Sequence, residues 1–222
     1  QEFGVPEARI EIRDSTVFVD TETGEPLITL ADLAHRGQAF RAEYHYDAPE
    51  TNPVPEWVPP EPGEEGSSHR LHFAYSFGAQ GAMVAVNEET GEVRVLKVVA
   101  AHDVGRAISM PNCINQIQGA VVMGLGYALS ETFRVEGGVI QTPNLGDLGL
   151  LRLRDLPEIE AIVIEDPHPL GPYGAKGVGE LAISPTAPAV INAIHDAVGV
   201  WIHELPATPE RVLAALRERK EG

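Results

Sequence analysis

The chain has 222 residues, an ordinary apolar content of 43% and a formal net charge of −17, from 33 acidic against 16 basic side chains. That length can bury a real core in one large domain or two small ones, and so acidic a surface disfavours nucleic acid and anionic membrane as partners. The single cysteine, Cys113, excludes an internal disulfide, a cysteine-ligated iron–sulfur cluster and a structural cysteine-type zinc site.

No apolar run approaches membrane-span length, and no basic-then-apolar leader opens the chain, so a soluble protein of a reducing compartment, the cytoplasm, is expected. Residues 1–46 read as short strands with turns. Arg9 to Arg13 and Thr16 to Asp20 alternate, Glu22 to Pro26 marks a break, and Thr29-Leu30-Ala31-Asp32 predicts a capping box for a short helix through His35, ended by Gly37. Ala39 to Tyr46 predicts another strand. Residues 47–68, rich in Pro, Glu, Gly and Ser, predict a linker or surface arm in which Trp57 docks on a neighbour.

Residues 69–222 form the main body. Leu71 to Val86 and Glu92 to Ala101 predict a hairpin about the turn Asn87 to Gly91, the second strand ending in a continuous apolar run that suits burial. After His102-Asp103-Val104-Gly105 a helix is expected from about Asn112 to Phe133, with Ile114, Ile117, Val121, Val122, Leu125 and Leu129 on one side. Gly119, Gly124 and Gly126 inside it each cost about 1 kcal/mol relative to Ala, which points to close packing against a sheet or a ligand. Gly137 to Ile140 opens an extended stretch, and Glu160 to Glu165 reads as a strand. Leu181 to Val198 predicts a helix in which Pro185 and Pro188 fall in the first turn or break it. A last helix runs to about Arg219, capped by Thr208 with Pro209 at its first position.

Between the strand at 160–165 and the helix at 181–198 lies Gly171-Pro172-Tyr173-Gly174-Ala175-Lys176-Gly177-Val178-Gly179-Glu180. Four glycines in nine residues are expected where the backbone needs φ > 0 or must admit another group closely. Glu180 then either faces a bound ligand or merely complements a helix N-terminus. Gly177 to Ala182 formally satisfies the dinucleotide pattern G-x-G-x-x-A, but the preceding strand ends some ten residues too early. Lys176 is followed by Gly, so a P-loop fails. The eight histidines are scattered without metal-ligand spacing, and each is expected to be solvated or a hydrogen-bonded structural residue. No Ser stands in a G-x-S-x-G elbow, and Cys113, near a helix start without a partner motif, reads as a packing residue.

Three stretches together resemble the C-terminal part of the molybdopterin-binding large subunit of the xanthine oxidase family of molybdenum hydroxylases. Val99 to Ile108, continuing through Gln116-Ile117-Gln118-Gly119 and Gly124-Leu125-Gly126, is similar to the family's D-V-G-K/R…G-Q-I-x-G segment. Gly171 to Glu180 is similar to its G-P-x-G-A-K-G-V-G-E loop, and Leu205 to Val212 to its L-P-x-T-P-E ending. The resemblance runs from about Phe73 to the C-terminus and more loosely over Ala8 to Tyr46.

The resemblance implies a partial α+β fold, a mixed β-sheet packed with helices, and makes 69–222 a molybdopterin-binding subdomain. It implies that Glu180 is the catalytic base, taking a proton so that oxygen reaches an electron-poor carbon of an N-heterocycle or aldehyde. A carboxylate in a tight, water-poor loop would have a raised pKa suited to that task. Gln116 would contact molybdopterin, and the backbone of Gly174, Lys176, Gly177, Val178 and Gly179 would pass close to it. The cofactor would be molybdenum–molybdopterin, with the cytosine dinucleotide form left open. Partners would be a chain carrying the upstream part of the subunit, an Fe-S subunit, an FAD subunit and a small-molecule substrate.

Departures from the family pattern are Ser109-Met110 for Asn-Pro, Asn115 for Gly, Met123 for a second Gln, and Leu151-Arg152 for Pro-Thr. They support an alternative, a non-catalytic assembly module of such a complex that has lost the cofactor. A nicotinamide-binding protein is a third reading.

Overall fold

A computed structural model describes residues 3–14, 16–37, 43, 45 and 72–221. The expected strand at 39–46, the arm at 47–68 and the docking of Trp57 lie outside the described residues. The chain divides into two compact units, 1–47 and 48–222.

The first unit holds an antiparallel sheet of β1 (Ile10–Arg13), β2 (Val17–Asp20) and β3 (Pro26–Thr29), followed by α1 (Leu30–His35). The capping box is present: the Asp32 N–H donates to Thr29 Oγ1 at 3.0 Å while the Asp32 carboxylate accepts from the Thr29 backbone. The break expected at 22–26 is the turn at 21–25, and β3 already begins at Pro26. Proline at the first residue of a strand costs no ladder bond, so Pro26 does not stop pairing.

The second unit is built on β4 (Gly78–Val86), β5 (Val93–Asp103) and β8 (Glu158–Ile164), in the order β4-β5-β8. β4 and β5 are the expected hairpin, antiparallel, while β8 pairs with β5 in parallel. The fold class is thus α+β with a mixed sheet. A register shift opposite Met83/Val84 leaves Leu96 as the extra residue between Val95 and Lys97. The bulge moves the buried set from Val95 to Val98, Ala100 and His102, which is why alternation in the sequence lapses there into a continuous apolar run.

Helix α2 (Met110–Leu129) is the crossover between the parallel strands, beginning two residues before and ending four before the expected span. Ser130 takes a non-helical conformation and stops it. Cys113, Ile117, Ala120, Val121, Leu125 and Ala128 face the sheet and join one core with Val190 and Ile194 of α3 (Thr186–Val198) and Val212 and Leu216 of α4 (Pro209–Glu221). Cys113 is a core residue, as expected. The helix predicted from Leu181 begins only at Thr186. Pro185 sits at its N-cap and Pro188 in its first turn, so Leu181–Pro185 remains a turn. A two-residue hairpin, β6 (Val135–Glu136) and β7 (Val139–Ile140), lies between α2 and β8.

Candidate functional site

Two parallel strands deliver the two motif-bearing segments to one place. β5 ends at Asp103 and β8 at Ile164, so the segments 104–109 and 165–180 both leave the carboxyl edge of the sheet, where ligands of open α/β sheets bind. The second segment is stitched to the first. Gly105 and Ala175 form an antiparallel bridge, Arg106 N–H donates to Gly174 O at 2.9 Å, and Lys176 N–H donates to Val104 O at 2.9 Å.

Charge completes the clamp. The Lys176 ammonium is bonded to the Asp103 carboxylate, both side chains almost fully buried, with Asp166 3.5 Å away. Asp103 also accepts from the Gly105 N–H at 2.8 Å. Burial by itself raises the Asp103 carboxyl, but the Lys176 bond and the backbone donors outweigh it and hold it below the usual carboxylate range. The same bond raises Lys176 above its ordinary value.

The glycines of the loop fall into two groups. Gly174 (φ 84°) and Gly105 (φ 64°) take the left-handed conformation at the stitch, where a Cβ on Gly105 would lie 2.4 Å from Gly174 O. A Cβ on Gly171 would lie 2.3 Å from Ala175 O. Gly177 and Gly179 are different: neither has positive φ, and a Cβ on either would meet nothing within 4 Å. Between them Val178 packs against the core, leaving Gly177, Gly179 and Glu180 outward and exposed. Among the described residues, nothing accepts from the N–H groups of Gly177, Val178, Gly179 and Glu180.

The structure corrects two expectations about Glu180. It stands in a turn six residues ahead of α3 rather than at the helix start, so the helix-terminus reading falls. Its carboxylate is also exposed in this chain, so the expected water-poor setting is not built from these residues. A shallow depression of about 370 Å³ lined by Gly78, Leu181, Ser184 and Pro185 opens beside it. A larger cleft of about 650 Å³, lined among others by Val93, Val95, Leu125 and Leu151, lies at the opposite end of β5 from the stitched loop.

Gln116 sits on the exposed face of α2, its side-chain amide unpartnered among the described residues, one turn before the exposed Gly119. A Cβ on Gly119 would also meet nothing, whereas Gly124 is required by packing: its Cβ would lie 2.5 Å from Thr186 Cβ. The close approach expected for the helix glycines is thus a helix–helix contact at Gly124, and at Gly126 a contact with the Glu131 carboxylate. The departing residues Met110, Asn115 and Met123 lie on the exposed side of α2, which Pro111 still enters in its first turn. Among the described residues no three His, Cys, Asp or Glu side chains converge as a metal-ligand set, and no helix is long and apolar enough to cross a membrane.

The motifs did not single out a buried polar cluster next to the loop. His102 is fully buried, with its Nε2 3.0 Å from Gln80 Nε2, and Gln80 Nε2 also donates to Ala182 O at 2.7 Å. Thr186 Oγ1 donates to Gln80 Oε1 at 2.7 Å and has Ala182 O within 2.9 Å. Gly78, opposite His102 in the ladder, was the available signal, because a Cβ there would lie 2.2 Å from the His102 ring.

Residues 1–157 match the family model of the molybdopterin cofactor-binding domain. The chain belongs to that family. It is 34% identical over 197 residues to a probable xanthine dehydrogenase subunit of Bacillus subtilis, an alignment covering 89% of this chain and 25% of that protein. It superposes on the aldehyde oxidoreductase of Desulfovibrio gigas with a TM-score of 0.59 and 35% identity, over 64% of this chain and 15% of the other. The CO dehydrogenase of Oligotropha carboxidovorans matches 99% of this chain and 26% of its own at a TM-score of 0.63; at 21% identity that likeness shows the fold alone. The chain thus spans about a quarter or less of the proteins it matches.

Proposed function

We propose that the chain is one part of a molybdenum hydroxylase, contributing Glu180 as the base and the Gly177–Gly179 backbone as one wall of the molybdopterin site. The observation that carries this reading is the segment 177–180. Its two glycines have no positive φ and a Cβ on either would meet nothing within 4 Å, while among the described residues nothing accepts from four consecutive N–H groups. Glycine without an internal reason, beside open donors, fits a backbone that an anionic, oxygen-rich group approaches closely.

Gln116 and Gly119 present the same combination on α2, an amide unpartnered among the described residues one turn before a glycine whose Cβ would meet nothing within 4 Å. On this reading Gln116 contacts the pterin through its side chain. Gly174 and Lys176 serve the site from behind, because the Gly174 carbonyl and the Lys176 ammonium are already committed to the stitch.

When bound, the molybdenum centre would supply the two-electron oxidation and the activated oxygen. The chain's own task is proton transfer: a Glu180 carboxylate oxygen takes the proton released as the substrate carbon is attacked. Water exclusion falls to the upstream part of the subunit, since Glu180 is exposed here. The substrate would be an N-heterocycle or an aldehyde, the classes suggested by the names of the B. subtilis and D. gigas relatives. Electrons would leave through Fe-S and FAD partner subunits, in the cytoplasm, and the pterin would be molybdopterin or its cytosine dinucleotide form. Residues 1–46 and 69–222 would serve as separate pieces of the cofactor-binding region, with 47–68 between them.

The test is Glu180→Gln in the assembled complex. Molybdenum and pterin content stay at the parental level while kcat falls by roughly 10²–10⁴-fold, the usual worth of a positioned base. Parental turnover in that variant removes Glu180 from the reaction. A parent complex without molybdenum, made in a cofactor-competent host, favours the non-catalytic module.

A further inference from the structure

We infer that Gln80 is a positioning residue for the Glu180 loop, its side-chain amide, oriented by buried His102, tying the turn after Glu180 to the sheet. The inference rests on the reading of Glu180 as the base and adds how that base is held.

The exposed segment runs between two anchors, one at the end of β5 and one on β4. Between them Val178 packs on the core and Gly177 O accepts from Ser76 Oγ at 3.5 Å. Upstream, Lys176 is fixed to Val104 by its N–H and to Asp103 by its ammonium. Downstream, Ala182 O receives the Gln80 amide at 2.7 Å. His102 and Asp103 are consecutive in β5, so their side chains leave opposite faces of the sheet. The end of β5 thereby holds the Lys176 anchor directly and, through His102, orients the Gln80 anchor on β4; the five residues 177–181 lie between the two.

Every group of the Gln80 amide has a defined partner. The two N–H donors serve Ala182 O and His102 Nε2, and Oε1 accepts from Thr186 Oγ1. A flipped amide would set Oε1 against the Ala182 carbonyl, so the network admits one orientation. For His102 Nε2 to accept, the neutral ring must carry its proton on Nδ1, and Nδ1 is buried without a partner. Burial favours the neutral ring by pushing its pKa down. An orphaned buried donor is a standing cost, and an apolar side chain would fill the same core without it. The ring is accounted for by what its other nitrogen does, which is to aim Gln80. Gly78 makes room for the ring.

Such a network directs as well as packs. Thr186, the first residue of α3, donates to Gln80 Oε1 and lies 2.9 Å from Ala182 O, the acceptor of the Gln80 amide, and so couples the start of that helix to the turn. A reacting carboxylate must be held within about 0.5 Å of its working position, and the surrounding shell supplies that precision.

The test uses the assembled complex with Gln80→Met, Thr186→Val and Thr186→Ser, and Glu180→Gln beside them. Metal and pterin content, kcat, KM and amide hydrogen exchange of the 177–184 peptide are measured against peptides of α2. Gln80→Met and Thr186→Val keep the cofactor and KM, lower kcat by roughly 10–100-fold, and speed exchange in 177–184 about tenfold or more with α2 unchanged. Thr186→Ser, which keeps the hydroxyl, stays near the parent on every measure. Unchanged exchange and kcat in Gln80→Met overturn the inference, as does faster exchange spread equally through α2, which marks a merely structural role. If Glu180→Gln retains turnover, the base reading fails by itself, and the exchange of 177–184 still decides whether Gln80 holds the turn.

Discussion

Gly105 and Gly177 lie on the two segments that are stitched together and are glycine for different reasons. At Gly105 the backbone is left-handed and a side chain would drive into Gly174 O and Lys176 N, at 2.4 and 2.8 Å. Both atoms are backbone and cannot swing aside, so Gly105→Ala combines conformational strain with a clash and lowers stability by more than about 1 kcal/mol. Thermal or urea unfolding of the complex checks this; a variant as stable as the parent would show that the stitch is slack. Glu180, Gln116 and the glycine density of 171–179 were legible in the sequence through long motifs. The commitment of Lys176 to Asp103 was not, because a partner 73 residues away leaves no local pattern. Gln80 was equally hidden: a single Gln in a strand of small residues reads as a solvated position until the fold brings Ala182 and Thr186 to it.

At the scale of elements, the end of β5 matters most, since Asp103 binds Lys176 and His102 orients Gln80, the anchor of the turn after Glu180. Their titration sets a pH window for stability. His102 is depressed in the folded state, so below about pH 6.5 the unfolded chain takes up a proton that the folded chain refuses. Its contribution is complete above that pH and declines as the pH falls toward the folded value. Asp103, also depressed, adds a second loss that begins only below about pH 4. Lys176 is raised, so its contribution holds below about pH 10.4 and fades as pH rises through the folded value. Melting temperature against pH therefore declines in two acid steps, the first of them absent from a His102→Gln variant. A parent curve flat from pH 7 to pH 5 would contradict the buried neutral ring. The hairpin, α2, β8 and α4 could be read from periodicity and caps. The late start of α3 was foreshadowed only by Pro185 and Pro188, since the apolar pattern runs on through Leu181 and Ile183. β3 was hidden by the reading of Pro26 as a breaker.

At the scale of the whole molecule, the chain is a fraction of the proteins it matches, and its surface is consistent with an incomplete one. Met123 and Tyr127 on α2, Ile162 and Ile164 on the open face of the sheet, and Phe133 beyond α2 are large apolar side chains left exposed. Gly177, Gly179, Glu180 and Gln116 on α2 are exposed as well. Composition spoke only to the class of partner, an acidic surface disfavouring nucleic acid, because on the proposed reading what completes the site lies on a partner chain. On the proposed reading, Gly177 and Gly179 are glycine because molybdopterin passes over them. The most direct measurement is the molybdenum and pterin content of the assembled complex carrying Gly177→Ala or Gly179→Ala, with melting temperature read on the same samples. Both variants are expected to lose the cofactor at unchanged melting temperature of the cofactor-free complex; a full complement of molybdenum and pterin in both would contradict the reading.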